Sequence, residues 1–228
     1  MSNRENEVLD RILASLDRIS LIQPTDIPNI DLYMDQVTTF MDSKMHSFSR
    51  GTQDERILTK TMINNYAKND LIPPPVKKKY SKEHVLLLIF IYYYKSILSI
   101  NDIQTLLQPI TDKYFHKQEG FRLQDIYSEV RELEYSQIES LKEDVRRKYQ
   151  RSKDSFGNAP EEDTEFLQQF GFICMLSFDV YMKKVMIERL LDDMIKRELV
   201  KTPEKEQQEK QTKDKQVKEK QKEKKTDK

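Results

Sequence analysis

Between residues 59 and 80 the chain carries two groups of side chains with the chemistry to hold a nucleic acid. Lys60, Thr61, Asn64, Asn65 and Lys68 recur at helical spacing, and Lys77, Lys78, Lys79 and Tyr80 follow as an unbroken run. Amides and hydroxyls pair with base edges, whereas ammonium groups neutralise phosphates and carry no sequence information. The stretch holds five lysines against one acid, Asp70. Three consecutive lysines alone read more readily as a solvated turn. Their position after an amide-bearing helix is what points to double-stranded DNA as the partner.

Catalytic chemistry has little footing. His46, His84 and His116 are scattered, with no H-E-x-x-H spacing, no G-x-S-x-G and no glycine loop that could cradle a phosphate. Glu83 and His84 stand in the order E-H, at what reads as the first turn of a helix. No catalytic residue, cofactor or metal is expected. Cys174 is alone, which rules out a disulfide framework and a cysteine zinc site and suits a reducing cytoplasm. The opening MSNRENEVLD lacks the basic and apolar segments of a secretory signal.

The elements that must position the polar groups follow from caps and periodicity. Thr59 stands where a helix N-cap belongs, Asn69 to Pro75 supplies the stop, and Met62, Ile63, Tyr66 and Leu71 can face inward. Pro73, Pro74 and Pro75 force an extended path into the lysine run, which is expected to form a hairpin or loop. Val85 to Tyr94 is apolar throughout, too short to span a bilayer, and reads as a buried core helix. Tyr92, Tyr93 and Tyr94 end that run and are expected to pack rather than stack on bases.

Upstream, Val8, Leu9, Ile12, Leu13, Leu16 and Ile19 share one face of a first helix. Leu32, Tyr33, Gln36, Val37, Phe40 and Met41 mark a second, after breaks at Pro24 and Pro28. Downstream, apolar steps of three to five from Leu123 to Val145 predict one helix to about Arg151. SKDSFGNAP then interrupts the chain, and Pro160 opens a long helix with a broad apolar stripe through Phe166, Phe170, Ile173, Val180, Ile187 and Leu191. A helix this long predicts either a break near Gly171 or a partner. A homodimer through residues 161–198 is expected, with Ile187 in the stripe and Leu191→Glu as the diagnostic change.

Composition bounds the alternatives. Of 228 residues, 34% are charged, Gly numbers 4 and Trp is absent, which argues against an all-β chain. The 39 basic and 39 acidic residues are unevenly placed. Residues 201–228 hold 11 Lys and 7 acids, leaving 28 basic and 32 acidic before them. A slightly acidic body shifts any nucleic-acid argument onto local patches.

Residues 58–107 resemble the MerR family of bacterial transcription regulators, whose recognition helix and wing read approximately V-S-x-x-x-L-R-Y-Y-E-x-x-G-L-L-x-P and then Y-R-x-Y-S. Leu58 and Thr59 stand for V-S, Ile63 for Leu, Asn65 and Tyr66 for the paired aromatics, Leu71 and Ile72 for the aliphatics, Pro74 for Pro, and Tyr80 and Ser81 close the wing. Val85, Leu88 and Ile91, then Ser99 to Leu107, match the two helices that follow. Asn64 replaces the family's Arg, Ala67 its Glu, Asp70 its Gly and Lys78 a wing Arg. The polar segment 46–56 separates the helix around 30–45 from Thr59, where the family has a tight turn.

With IPNIDLYMDQVTTFM upstream, residues 25 to 190 also resemble an uncharacterised family of Gram-positive bacteria called domain of unknown function 1836, thought to be related to MerR. The resemblance implies a mainly helical, all-α fold with a MerR-like winged helix-turn-helix core. The expected division is an amphipathic helix at 1–22, the helix-turn-helix domain at 25–110, a helical region for dimerisation at 120–198, and a disordered Lys/Glu/Gln-rich tail at 199–228. Two functions remain open: a DNA-binding transcription regulator, and a helical protein-interaction module that has kept the fold without binding DNA.

Overall fold

The chain is mainly helical, with one two-stranded sheet among the described residues. The computed structural model describes residue 7 and residues 9–14, 22–45 and 57–203. The expectations for His46, for the segment 46–56, for parts of the first helix and for the tail beyond residue 203 lie outside these residues.

The order is β1 (Leu32–Tyr33), α1 (Met34–Met45), α2 (Lys60–Lys68), β2 (Lys79–Tyr80), α3 (Lys82–Tyr94), α4 (Ile100–Tyr114), α5 (Leu123–Ser136), α6 (Ile138–Lys153) and α7 (Glu161–Lys196). β1 and β2 pair antiparallel, Leu32 opposite Tyr80 and Tyr33 opposite Lys79.

α3 is the centre of the core because it is apolar on every side, and such a helix is stable only when surrounded. Val85, Leu86, Leu87, Leu88, Ile89, Phe90 and Ile91 are all buried, and α4, α5 and β2 pack around them. Val37, Met41 and Met45 of α1 join Leu58, Ile63 and Tyr66 in the same core. α1 and α2 therefore pack as a pair although residues 46–56 separate them. The re-entry is clamped at Ile57, whose N–H donates to the Asp42 carboxylate at 2.8 Å and whose carbonyl accepts from Lys95 Nζ at 3.1 Å. Tyr92, Tyr93 and Tyr94 are half-buried against this core, and burial pushes the Tyr93 phenol up to about 12. Tyr127 is buried with its hydroxyl donating to the Ile22 carbonyl at 2.8 Å.

A second, smaller core joins Leu13 to Val145 and Phe172, with residues 9–14 helical as the periodicity predicts. Lys148 of α6 pairs with Asp144 and with Asp179 of α7, tying the two helices together.

Three expectations are corrected here. The single helix to Arg151 is two, divided at Gln137. The Ser136 hydroxyl donates to the Leu133 carbonyl at 2.7 Å and the Gln137 N–H reaches the Glu134 carbonyl at 3.1 Å, a tightened turn of the kind that bends helices. α7 has no break near Gly171. That glycine instead makes room for a ring, since a Cβ there would lie 2.9 Å from Phe156 Cε2. Leu191 is buried, and Ile187 packs against the main core. Neither belongs to a free face, so Leu191→Glu would disrupt the monomer rather than report on a dimer.

Candidate nucleic-acid interface

Helix α2 begins where its cap dictates. Thr59 Oγ1 accepts from the Met62 N–H at 3.2 Å. It ends at Asn69, after which Asp70 takes a left-handed conformation (φ +55°) and the Leu71 N–H returns to the Tyr66 carbonyl at 2.9 Å. This Schellman-type closure has its usual apolar seal, as Leu71 and Tyr66 are both in the core. Ile63 and Tyr66 face inward and Lys60, Thr61, Asn64, Asn65 and Lys68 are exposed. At about 100° per residue these five occupy one arc of roughly 140°. The periodicity thus places all five predicted contacts of this helix on a single solvent face.

The lysine run forms a two-residue hairpin. Val76 N–H donates to the Lys79 carbonyl at 3.1 Å, and Lys79 N–H to the Val76 carbonyl at 2.9 Å. Lys77 (φ +51°) and Lys78 (φ +64°) fill the two turn positions, both left-handed, as a type I′ turn demands. Asn and Gly are the residues that suit those positions. Lysine there costs on the order of 1 kcal/mol per residue. Both side chains are exposed at the tip.

Strand alternation divides the next two residues. Lys79 is half-buried with its ammonium 5.2 Å from the centre of the Tyr33 ring. Tyr80 points the other way, is 2% exposed, and meets His84 edge to face at 5.4 Å. Tyr80 is therefore a core residue and is withdrawn from the contacting set.

The sequence reading missed two supports, the first at Tyr33 and Asp35. Asp35 of α1 forms an ion pair with Lys60, and two residues before it Tyr33 underlies Lys79. The start of α2 and the base of the hairpin thus flank the same short stretch, 33–35. Both members of the Lys60–Asp35 pair are largely exposed, so the attraction is weak and an incoming phosphate can compete with it.

The second support is His84, 1% exposed. Its Nδ1 accepts from the Ser81 N–H at 3.0 Å and lies 2.9 Å from the Ser81 hydroxyl, so the ring proton sits on Nε2, which donates to the Pro73 carbonyl at 3.2 Å. Histidine here takes the place of Glu or Gln in a capping box at the head of α3. It also pins the proline segment that leads from α2 to the hairpin. Burial lowers its pKa to about 4 and keeps the ring neutral. The S-x-x-H spacing was the available signal.

Among the described residues no group of three or more His, Cys, Asp or Glu could hold a metal ion, and no helix is long and apolar enough to cross a membrane.

Residues 22–130 match the family described as Domain of unknown function (DUF1836). The matched segment contains α1 to α3, the hairpin and α4, and ends within α5, ahead of α6 and α7. No curated protein and no solved structure matches the chain.

Proposed function

We propose that this protein is a DNA-binding transcription regulator of MerR-like winged helix-turn-helix type, acting in the cytoplasm. α2 serves as the recognition helix, with Asn64 and Asn65 at base edges, Thr61 beside them and Lys60 and Lys68 at phosphates. The Val76–Lys79 hairpin is the wing, and Lys77 and Lys78 reach the backbone of the duplex from its tip. The observation that carries this reading is the tip itself. Two consecutive lysines stay left-handed and exposed where Asn-Gly would be less strained.

Two observations favour the other reading, a protein-interaction module. Lys60 is paired with Asp35, and the chain before residue 201 carries 28 basic and 32 acidic residues. Such a body gains nothing from bulk attraction to DNA.

The two readings separate by the kind of contact each variant removes. Lys78→Ala should weaken binding to every duplex and lower the salt slope by about one unit, since one ammonium no longer displaces counterions. Asn64→Ala should cost about 1 to 3 kcal/mol on the preferred site and leave random DNA unaffected. Anisotropy titrations at two salt concentrations measure both. An equal loss on specific and random duplexes for Asn64→Ala would remove its base-reading role, and a wild type with no affinity for either would favour the interaction module.

A further inference from the structure

The far side of α7 is apolar and largely open among the described residues, with Ile173 bordering a cavity it shares with Leu9 and Ile12. Phe172 and the half-buried Gln168, Met175, Leu176 and Asp179 turn toward α6 and the small core. On the opposite side Phe166, Phe170, Ile173, Val180 and Tyr181 are between 52% and 68% exposed. Phe166, Phe170, Ile173, Ser177 and Val180 follow steps of 4, 3, 4 and 3, the period of a coiled-coil seam.

The end of the chain is a poor candidate to cover this seam. Residues 204–228 contain one aliphatic side chain, Val217. The charges bracketing the seam point to a different occupant. Glu162 and Asp163 stand at its N-terminal end and Lys184 at its C-terminal end, on the same side of the helix. Among the described residues Lys184 pairs with Glu188 alone, at 3.8 Å and with both side chains open to solvent. A second α7 running antiparallel, with Ile173 opposite Ile173, places 162 opposite 184 and 166 opposite 180. Acid then meets base and ring meets aliphatic at both ends. A parallel pair sets acid on acid and lysine on lysine, which repels.

The area is also adequate. Five such side chains, each more than half exposed, offer roughly 600 Å² per copy, so two copies bury about 1,200 Å², the lower end of specific interfaces.

We propose that a second copy of this chain covers this face, the two α7 helices crossing antiparallel about a two-fold axis at Ile173. The inference rests on α7 alone and stands apart from the nucleic-acid reading. The contact is isologous, so it closes at two copies.

Light scattering of the full chain at micromolar concentration should give twice the 27.3 kDa protomer. Ile173→Glu and Phe170→Glu, both at solvent-facing positions, should each give a monomer with unchanged helical circular dichroism. Orientation is read by cross-linking in a Cys174→Ser background. Glu162→Cys with Lys184→Cys should form a covalent dimer under mild oxidation, and Glu162→Cys alone should not. A monomeric wild type, a dimer that survives both glutamate variants, or cross-linking of Glu162→Cys by itself would each overturn the proposal.

Discussion

Replacing Lys77-Lys78 by Asn-Gly should make the protein more stable and worse at binding DNA. Both turn positions are left-handed, and Asn-Gly is the pair that a type I′ hairpin favours. Relief at the two positions should add about 1 to 2 kcal/mol to the unfolding free energy, which raises Tm by roughly 2 to 8 °C for a chain of this size. The same change removes two ammonium groups. At about 0.1 M salt each lost phosphate contact lowers the association constant by nearly a factor of ten, so binding should fall by roughly 50-fold. Thermal melts and anisotropy titrations on one preparation test both halves. Ordinary loss-of-function variants lose stability and activity together, whereas strain kept for function predicts opposite signs. Unchanged DNA binding in the stabilised variant would show that the tip lysines contact no phosphate.

The second large effect concerns His84. In the fold the ring takes up a proton only near pH 4, while an unfolded imidazole does so near 6.5. Between those values the unfolded chain binds more protons, so the stability contributed by the neutral ring is fully present above about pH 6.5 and is lost as the pH falls toward 4. The gap is worth about 3 kcal/mol. His116 lies close enough to oppose protonation further, and Asp31 acts weakly in the other direction.

His84→Gln retains an amide that can cap α3 but has no proton to take up. The variant should be less stable than wild type at pH 7, because a buried ring contact with Tyr80 and Phe115 is lost. Its curve of unfolding free energy against pH should be flatter by about 3 kcal/mol between pH 7 and 4. Urea denaturation at several pH values measures this. Parallel curves for the two proteins would mean that His84 does not titrate with unfolding.

Much of the candidate interface is local and therefore legible in the chain. Thr59 needs only its own hydroxyl and the next turn to start α2, and the arc from Lys60 to Lys68 follows from helical period. The α3 run could be read as core because seven consecutive apolar residues leave no face for water. Other features depend on contacts that no spacing encodes. The Lys60–Asp35 pair joins two helices across the segment 46–56, and Ile187 packs against a core whose buried members lie far upstream. Tyr80 was within reach, since a strand turns alternate residues inward and Lys79 is the one beside the solvent-facing Tyr33. The left-handed turn at Lys77 and Lys78 was not, because neither residue type favours it. The bend at Ser136 is a side-chain hydrogen bond that an apolar count does not register.

The central claim is that α2 and the hairpin read DNA. Selection from a random duplex library by the full-length protein, at about 100 mM salt, tests it most directly, because specific regulators still bind there and distinguish their site from random sequence by about 10³ or more. The account predicts one enriched motif, degraded at a defined base pair when Asn64→Ala is used as bait. Recovery of no enriched sequence, from protein shown to be folded, would contradict it and leave the interaction module in its place.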